Sequence, residues 1–154
     1  MKTLFFYFLL IIGIFNLNIA NAQKISKDCT PKVPFKNWDI FYNSPTGDDI
    51  DFSKIKFKLN PIKEGTDFSS TFKKEAEIGI NACYLDFFLE NKKLIPDDWK
   101  NITIIFTGTV FQEDKKYLVY KTLFYNRDRN DWVEGKNYAE FILGNTSGVS
   151  PLLN

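Results

Sequence analysis

From Asn101 to Asn126 the chain carries two runs of β-branched and aromatic residues, NITIIFTGTVF and YLVYKTLFYN, separated by the charged segment Gln112-Glu113-Asp114-Lys115-Lys116. Residues of this kind fit a pleated, half-buried surface, and a short polar loop between two such runs is the local signal for antiparallel pairing. The stretch predicts a β-hairpin against which the remainder must pack. With Gln112 opposite Tyr117, the residues Ile104, Phe106, Gly108 and Val110 share a face with Val119, Lys121, Leu123 and Tyr125. The face with Phe106 and Leu123 is expected against a helix. The threonine-rich face, with Phe111 and Tyr120, is expected toward solvent or a shallow groove. Lys121 falls opposite Gly108, where its stem can lie over the missing side chain and carry the ammonium outward.

Upstream, Asp67, Ser69 and Ser70 offer N-cap side chains for one helix running to about Asn91. Phe72, Ala76, Ile80, Cys83 and Phe87 form one apolar stripe along it, and Ile78, Ala82, Leu85 and Leu89 form a second on roughly the opposite side. Such a helix cannot satisfy both stripes against a flat sheet, so either the sheet curls around it or another segment covers the second stripe. Gly79 in mid-helix costs ~1 kcal/mol relative to alanine, and its missing side chain allows close approach of a strand or ring.

Trp38 to Tyr42 reads as a strand, and Asn43 to Asp49 as a loop dense in turn formers. Lys54, Lys56 and Lys58 alternate with Ile55, Phe57 and Leu59, which gives a strand that ends at Asn60-Pro61. Its lysine face reads more simply as an edge guarded against aggregation than as an anion site. After the central hairpin, Trp132-Val133, a turn at Glu134-Gly135-Lys136-Asn137 and the segment Tyr138 to Leu143 read as further strands. The expected class is α+β: one long helix packed on a curved antiparallel sheet, an element order compatible with cystatin-like or NTF2-like architectures.

The first residues give an address. Lys2, the apolar run Leu4 to Phe15 and Ala20-Asn21-Ala22 before Gln23 are the three parts of a secretory signal peptide. The run falls short of the ~20 residues needed to cross a bilayer. Residues 1–22 are therefore read as a signal peptide and 23–154 as a single domain, secreted or periplasmic. Its arm, 23–36, is extended and broken by Pro31 and Pro34, and its tail, 144–154, is expected to fray. The chain holds 20 basic and 19 acidic side chains, and loss of Lys2 with the leader leaves them equal. That balance argues against nucleic acid or an anionic membrane as a bulk electrostatic partner. Cys29 and Cys83 can pair in an exported chain. The bond would pin the arm to the helix and stabilise the fold by ~4 kcal/mol in the chain-entropy model.

The chain contains no histidine, which removes Ser-His-Asp and Cys-His machinery and histidine-ligated zinc. Two distant cysteines do not make a zinc or iron-sulfur site by themselves. Neither phosphate-cradling glycine motif occurs. Asn126 to Asp131 has a superficial likeness to a calcium loop, but Trp132 stands where an oxygen ligand is needed. No cofactor, metal or catalytic residue is assigned. Glu90, Asp97, Asp98 and Glu140 are the acids a carboxylate-dependent hydrolase would draw on, although Asp97-Asp98 after a proline reads more simply as a cap. Trp38, Trp99 and Trp132 either line a sugar or peptide groove or fill the core. The candidate binding surface comprises Trp99, Thr107, Thr109, Tyr120, Thr122 and Trp132. The expected function is that of an exported, small, non-catalytic protein that holds a protein partner or small ligand on its sheet or helix surface. A secreted carboxylate-dependent hydrolase and a structural envelope or stress protein are the alternatives.

Overall fold

The computed structural model describes residues 24–26, 28–45, 50–51 and 55–152. The expected signal peptide, 1–22, and the loop residues 46–49 lie outside these. In chain order the elements are β1 (Lys24–Ile25), β2 (Trp38–Asn43), β3 (Ile50–Asp51), β4 (Lys56–Ile62), α1 (Phe72–Ile78) and α2 (Cys83–Glu90). Two 3-10 turns, Lys92–Leu94 and Asp97–Asn101, lead to β5 (Thr103–Ile105), β6 (Thr109–Glu113), β7 (Tyr117–Asn126), β8 (Asp131–Tyr138) and β9 (Thr146–Leu152). The protein is α+β, with a mostly antiparallel sheet curled into a half-barrel.

The ten-residue β7 is the spine of a seven-stranded sheet. One of its edges pairs with β8 from Val119↔Tyr138 to Asn126↔Asp131. The other pairs first with β6, through Phe111↔Val119, and then with β5, through Ile104↔Leu123. β2 extends the sheet beyond β6, and β9 then β4 extend it beyond β5, so the sheet forks at the gap between β5 and β6. The β5–β9 pair is parallel.

That fork is where two expectations fail together. The strand expected to run unbroken from Ile102 to Phe111 leaves its ladder between β5 and β6, and the helix expected to run to Asn91 is interrupted between Ile78 and Cys83. The two interruptions dock on each other. Gly108 N–H donates to the Ile80 carbonyl at 3.0 Å, Ile80 N–H donates to the Val149 carbonyl at 3.2 Å, and Ala82 N–H donates to Thr109 Oγ1 at 2.9 Å. Backbone groups that a continuous helix would satisfy internally are spent here on closing the fork. The contact requires two glycines. A Cβ on Gly108 would lie 2.5 Å from the Ile80 carbonyl carbon and the Asn81 nitrogen, and one on Gly79 would overlap Thr107 Oγ1. Asn81 then restarts the helix, its Oδ1 accepting from Cys83 N–H at 3.0 Å. Among the described residues there is thus no single long rod of the kind a cystatin-like or NTF2-like order needs.

The interruption also reverses the alternation downstream of it. Val110 packs with Ile105 and Tyr120, while Phe111 joins Ile104, Val119 and Leu123, the opposite of the expected sharing. Glu113, rather than Gln112, faces Tyr117, because Asp114 and Lys115 both turn at positive φ, 52° and 56°. One face of the sheet receives α2: Tyr84, Leu85 and Phe88 form a core with Phe106, Trp99 and Leu123. The threonine-rich face is also covered, by Phe68, Phe72, Ala139 and Ile142, so Thr107, Thr109 and Thr122 are buried. The second helical stripe is covered at Ala82 and Leu85 by the chain itself, whereas Ile78 is exposed.

Three local readings are corrected. Glu134 to Asn137 lie in the middle of β8 instead of forming a turn, and Tyr138 and Phe141 form only an isolated bridge. The tail expected to fray from residue 144 supplies β9, which lies between β4 and β5. β4 continues through Asn60-Pro61; among the described residues it is paired on one side only, by β9, which suits a proline that lacks an N–H. Cys29 and Cys83 are bonded, with Cα atoms 6.2 Å apart, and tie the arm to the first residue of α2.

Candidate functional site

The register of β7 decides which side chains meet on the α2 face. Directly opposed residues point the same way, so Val119 and Tyr138, Lys121 and Lys136, and Leu123 and Glu134 share it. Glu113 joins them through Tyr117, and Trp38 through Glu113. α2 and the arm close one half of this face and leave the other open.

In the closed half the Lys121 side chain is 1% exposed, contrary to the outward ammonium expected from its place in the hairpin. Its Nζ lies 2.9 Å from Asp86 Oδ1 on α2 and 3.2 Å from Glu134 Oε1 on β8, and donates to the Lys32 carbonyl at 3.3 Å. Asp86 Oδ2 in turn accepts from Lys32 N–H at 2.8 Å. The ammonium is thus turned inward to bind helix, strand and arm together. Burial pushes the Glu134 carboxyl above its usual range, against the opposing pull of Lys121.

In the open half, a cleft of about 540 Å³ lies between Pro34, Phe35, Asn37 and Trp38 on one side and Glu134 and Lys136 on the other, with Glu113 also on its wall. Its volume falls within the ~300–1,000 Å³ usual for small-ligand sites. Glu113 is the hub. Its carboxylate accepts from Lys136 Nζ at 2.7 and 2.9 Å, from Trp38 Nε1 at 3.0 Å and from Tyr138 Oη at 2.9 Å. Those donors, Lys136 first, hold it below the ordinary carboxylate range, and Glu113 in return raises Lys136. Aromatic rings continue outward from this hub. Phe35 meets Trp38 edge-on at 5.5 Å, Lys136 Nζ sits 4.9 Å from the Tyr138 ring, and Tyr138 meets Tyr117 at 5.9 Å. Phe35 is 58% exposed.

A second cleft, of about 260 Å³, runs beside α1 between Asn60, Lys63, Phe68, Glu75 and Ile78. Among the described residues it has neither a comparable aromatic wall nor a held ion pair.

Of the residues expected to bind, Trp99, Thr107, Thr109, Tyr120, Thr122 and Trp132 are all buried. Thr109 is part of the fork: besides accepting from Ala82 N–H, its hydroxyl donates to Asn43 Oδ1 at 2.6 Å. Tyr120 is packed edge-on against Phe68, and among the described residues its hydroxyl has no hydrogen-bond partner. Asp97 is paired with Lys100 on an exposed turn and, like Asp98, lies outside both clefts. Trp38 is the tryptophan that borders the cleft, although at 3% exposed it is buried like the other two. Glu113, Lys136 and Tyr138 were missed because they converge only once β8 is recognised as one strand and the hairpin register is shifted by one residue, and Phe35 because the arm was expected to be extended.

Among the described residues no group of three or more acids and cysteines is placed to hold a metal, and no helix is long and apolar enough to cross a membrane. Comparison with protein-family models, curated proteins and solved structures finds no match to this chain.

Proposed function

We propose that this chain is an exported, non-catalytic binding protein whose ligand occupies the cleft between the arm and β8. The observation that carries the reading is the pairing of an apolar aromatic wall with polar groups held in place by a rigid shell. Trp38 is packed on Phe111 at 5.5 Å beneath it, and the arm that forms one wall is fastened by a disulfide and by the Lys121 cluster. Preorganisation of this kind lowers the cost of binding, since little has to be ordered when the ligand arrives. Export is supported by the leader-like first residues and by the Cys29–Cys83 bond, which persists in oxidising compartments.

One observation favours a hydrolase as the second reading. The same cleft holds one carboxyl raised by burial, Glu134, and one lowered by its donors, Glu113. Carboxyls pushed apart in this way are the pattern of an acid and its charged partner. Against it stands the saturation of Glu113, whose four accepted hydrogen bonds leave no lone pair for a substrate or water. A thermal-shift screen of glycans, peptides and small metabolites tests the first reading: a ligand that stabilises the wild type and fails to stabilise Phe35→Ala supports the cleft. A screen with no such ligand, or ligands indifferent to Phe35, counts against it. Turnover of a bound compound that is lost in Glu134→Gln would place the hydrolase first.

A further inference from the structure

We infer that the cleft takes a neutral, hydroxyl-rich ligand, a saccharide segment, an inference that rests on the cleft being the binding site. The argument begins with the polar atoms the fold has not already used. Lys136 is spent on its neighbours, donating to both oxygens of Glu113 and interacting with the Tyr138 hydroxyl. Glu134 engages Lys121 through Oε1, and Oε2 has no partner among the described residues. Asn37 donates through Nδ2 to Asp114 at 2.9 Å, and its Oδ1 is likewise without a partner among them. The cleft therefore offers two acceptors, Asn37 Oδ1 on one wall and Glu134 Oε2 on the other. Hydroxyl groups can donate to both acceptors without bringing a charge into the cleft.

Charge narrows the choice further. The two carboxylates at the cleft, Glu113 and Glu134, lie beside Lys136 and Lys121, and Lys121 is shared with Asp86. An anionic ligand would meet Glu134, and a cationic one would meet Lys136; each is repelled by one of these neighbours on the same wall while it is drawn to the other. Beside them Phe35 presents a largely exposed ring, packed edge-on against the buried Trp38. A ligand with an apolar face and a hydroxylated rim uses both kinds of surface at once, and a pyranose ring is such a ligand.

The test is titration calorimetry on the full mature chain with neutral oligosaccharides (cellohexaose, xylohexaose, chitohexaose), polygalacturonate as the anion and a lysine hexamer as the cation. The expected result is binding of at least one neutral oligosaccharide, weakened tenfold or more in Phe35→Ala and in Asn37→Leu. Phe41→Ala, an exposed ring away from the cleft, should bind as the wild type does. Near-UV circular dichroism of each variant separates loss of fold from loss of binding. Binding of only the anion or the cation, lost in Phe35→Ala, would overturn the saccharide while leaving the cleft as the site. Oligosaccharide binding that Phe35→Ala and Asn37→Leu do not alter would overturn both, and no binding of any neutral oligosaccharide would overturn the saccharide.

Discussion

The two halves of the α2 face are built from the same parts and end with different properties. Each has a lysine from the paired positions Lys121 and Lys136, a carboxylate partner and a contribution from the arm. In the closed half Lys121 is sealed under α2 and Lys32, so its charge has become a fastener. In the open half Lys136 stays partly exposed on the cleft wall. The difference lies in what covers each lysine, because neighbouring positions of one ladder share the same backbone geometry. Burial turns an ion pair into structure, and exposure leaves it able to meet a ligand.

The largest expected effect tests whether the halves depend on each other. Replacing Cys29 and Cys83 by serine removes a link spanning a sequence separation of 54 residues, and the chain-entropy model puts the loss at about 4 kcal/mol. Chemical denaturation measures that loss. Hydrogen exchange at Phe35 and Asn37 should rise in the same variant, since the arm that forms the cleft wall is held from its far end. Unchanged exchange there would show that the open half stands without the closed one.

Lys121→Met is expected to cost about 3 kcal/mol, near the low end of the range for breaking a buried pair. The stranded carboxylates are not fully sealed: Asp86 and Glu134 keep 12% and 31% of their side-chain surface. A loss below about 1 kcal/mol would mean that the closed half is fastened by packing alone. Gly108→Ala follows, at about 2 kcal/mol, within the usual cost of overpacking. The atoms its Cβ would strike are backbone and cannot rotate away. It should lower stability without selectively weakening the cleft, because the fork supports both halves; a binding defect with full stability would contradict that placement.

Much of the sheet was legible because period-two alternation is local. Trp38 to Tyr42, Ile55 to Leu59 and Tyr117 to Tyr125 each announce a strand without reference to any other part of the chain. The cysteine pair was legible from count and context. The fork was not, because Gly79 and Gly108 are each tolerable in the elements that the surrounding residues predict. Their meaning appears only where the two segments meet, and no window of sequence contains both. Glu134-Gly135-Lys136-Asn137 misled for the same reason. The composition is that of a turn, yet a Cβ on Gly135 would lie 2.9 Å from Phe124 and Thr122 on the neighbouring strand, so the glycine serves close packing across the sheet. Lys136 and Glu113 became a candidate site only through that strand and the shifted hairpin register.

The smallest expected effect sharpens the contrast most, because it separates the two carboxylates by sign. Glu113 is held below its ordinary value of 4.5, so the stability it contributes is complete above that pH and is lost as pH falls toward the folded value. Glu134 is raised above 4.5 by burial. The folded chain then binds this proton at a higher pH than the unfolded chain does. Between the two values the folded state holds more protons, and stability gains as pH falls through that window. Melting temperatures from pH 7 to pH 3 for the wild type, Glu113→Gln and Glu134→Gln read both slopes, with the shared titration of other acids cancelling in the differences. Glu113→Gln should be the less stable protein at pH 7 and approach the wild type on acidification. Glu134→Gln should match or exceed the wild type at pH 7 and lose that advantage as Glu134 takes up its proton. Slopes of the same sign would mean that both carboxylates act as surface partners of their lysines, and the division of this face into a sealed half and an open half would no longer hold.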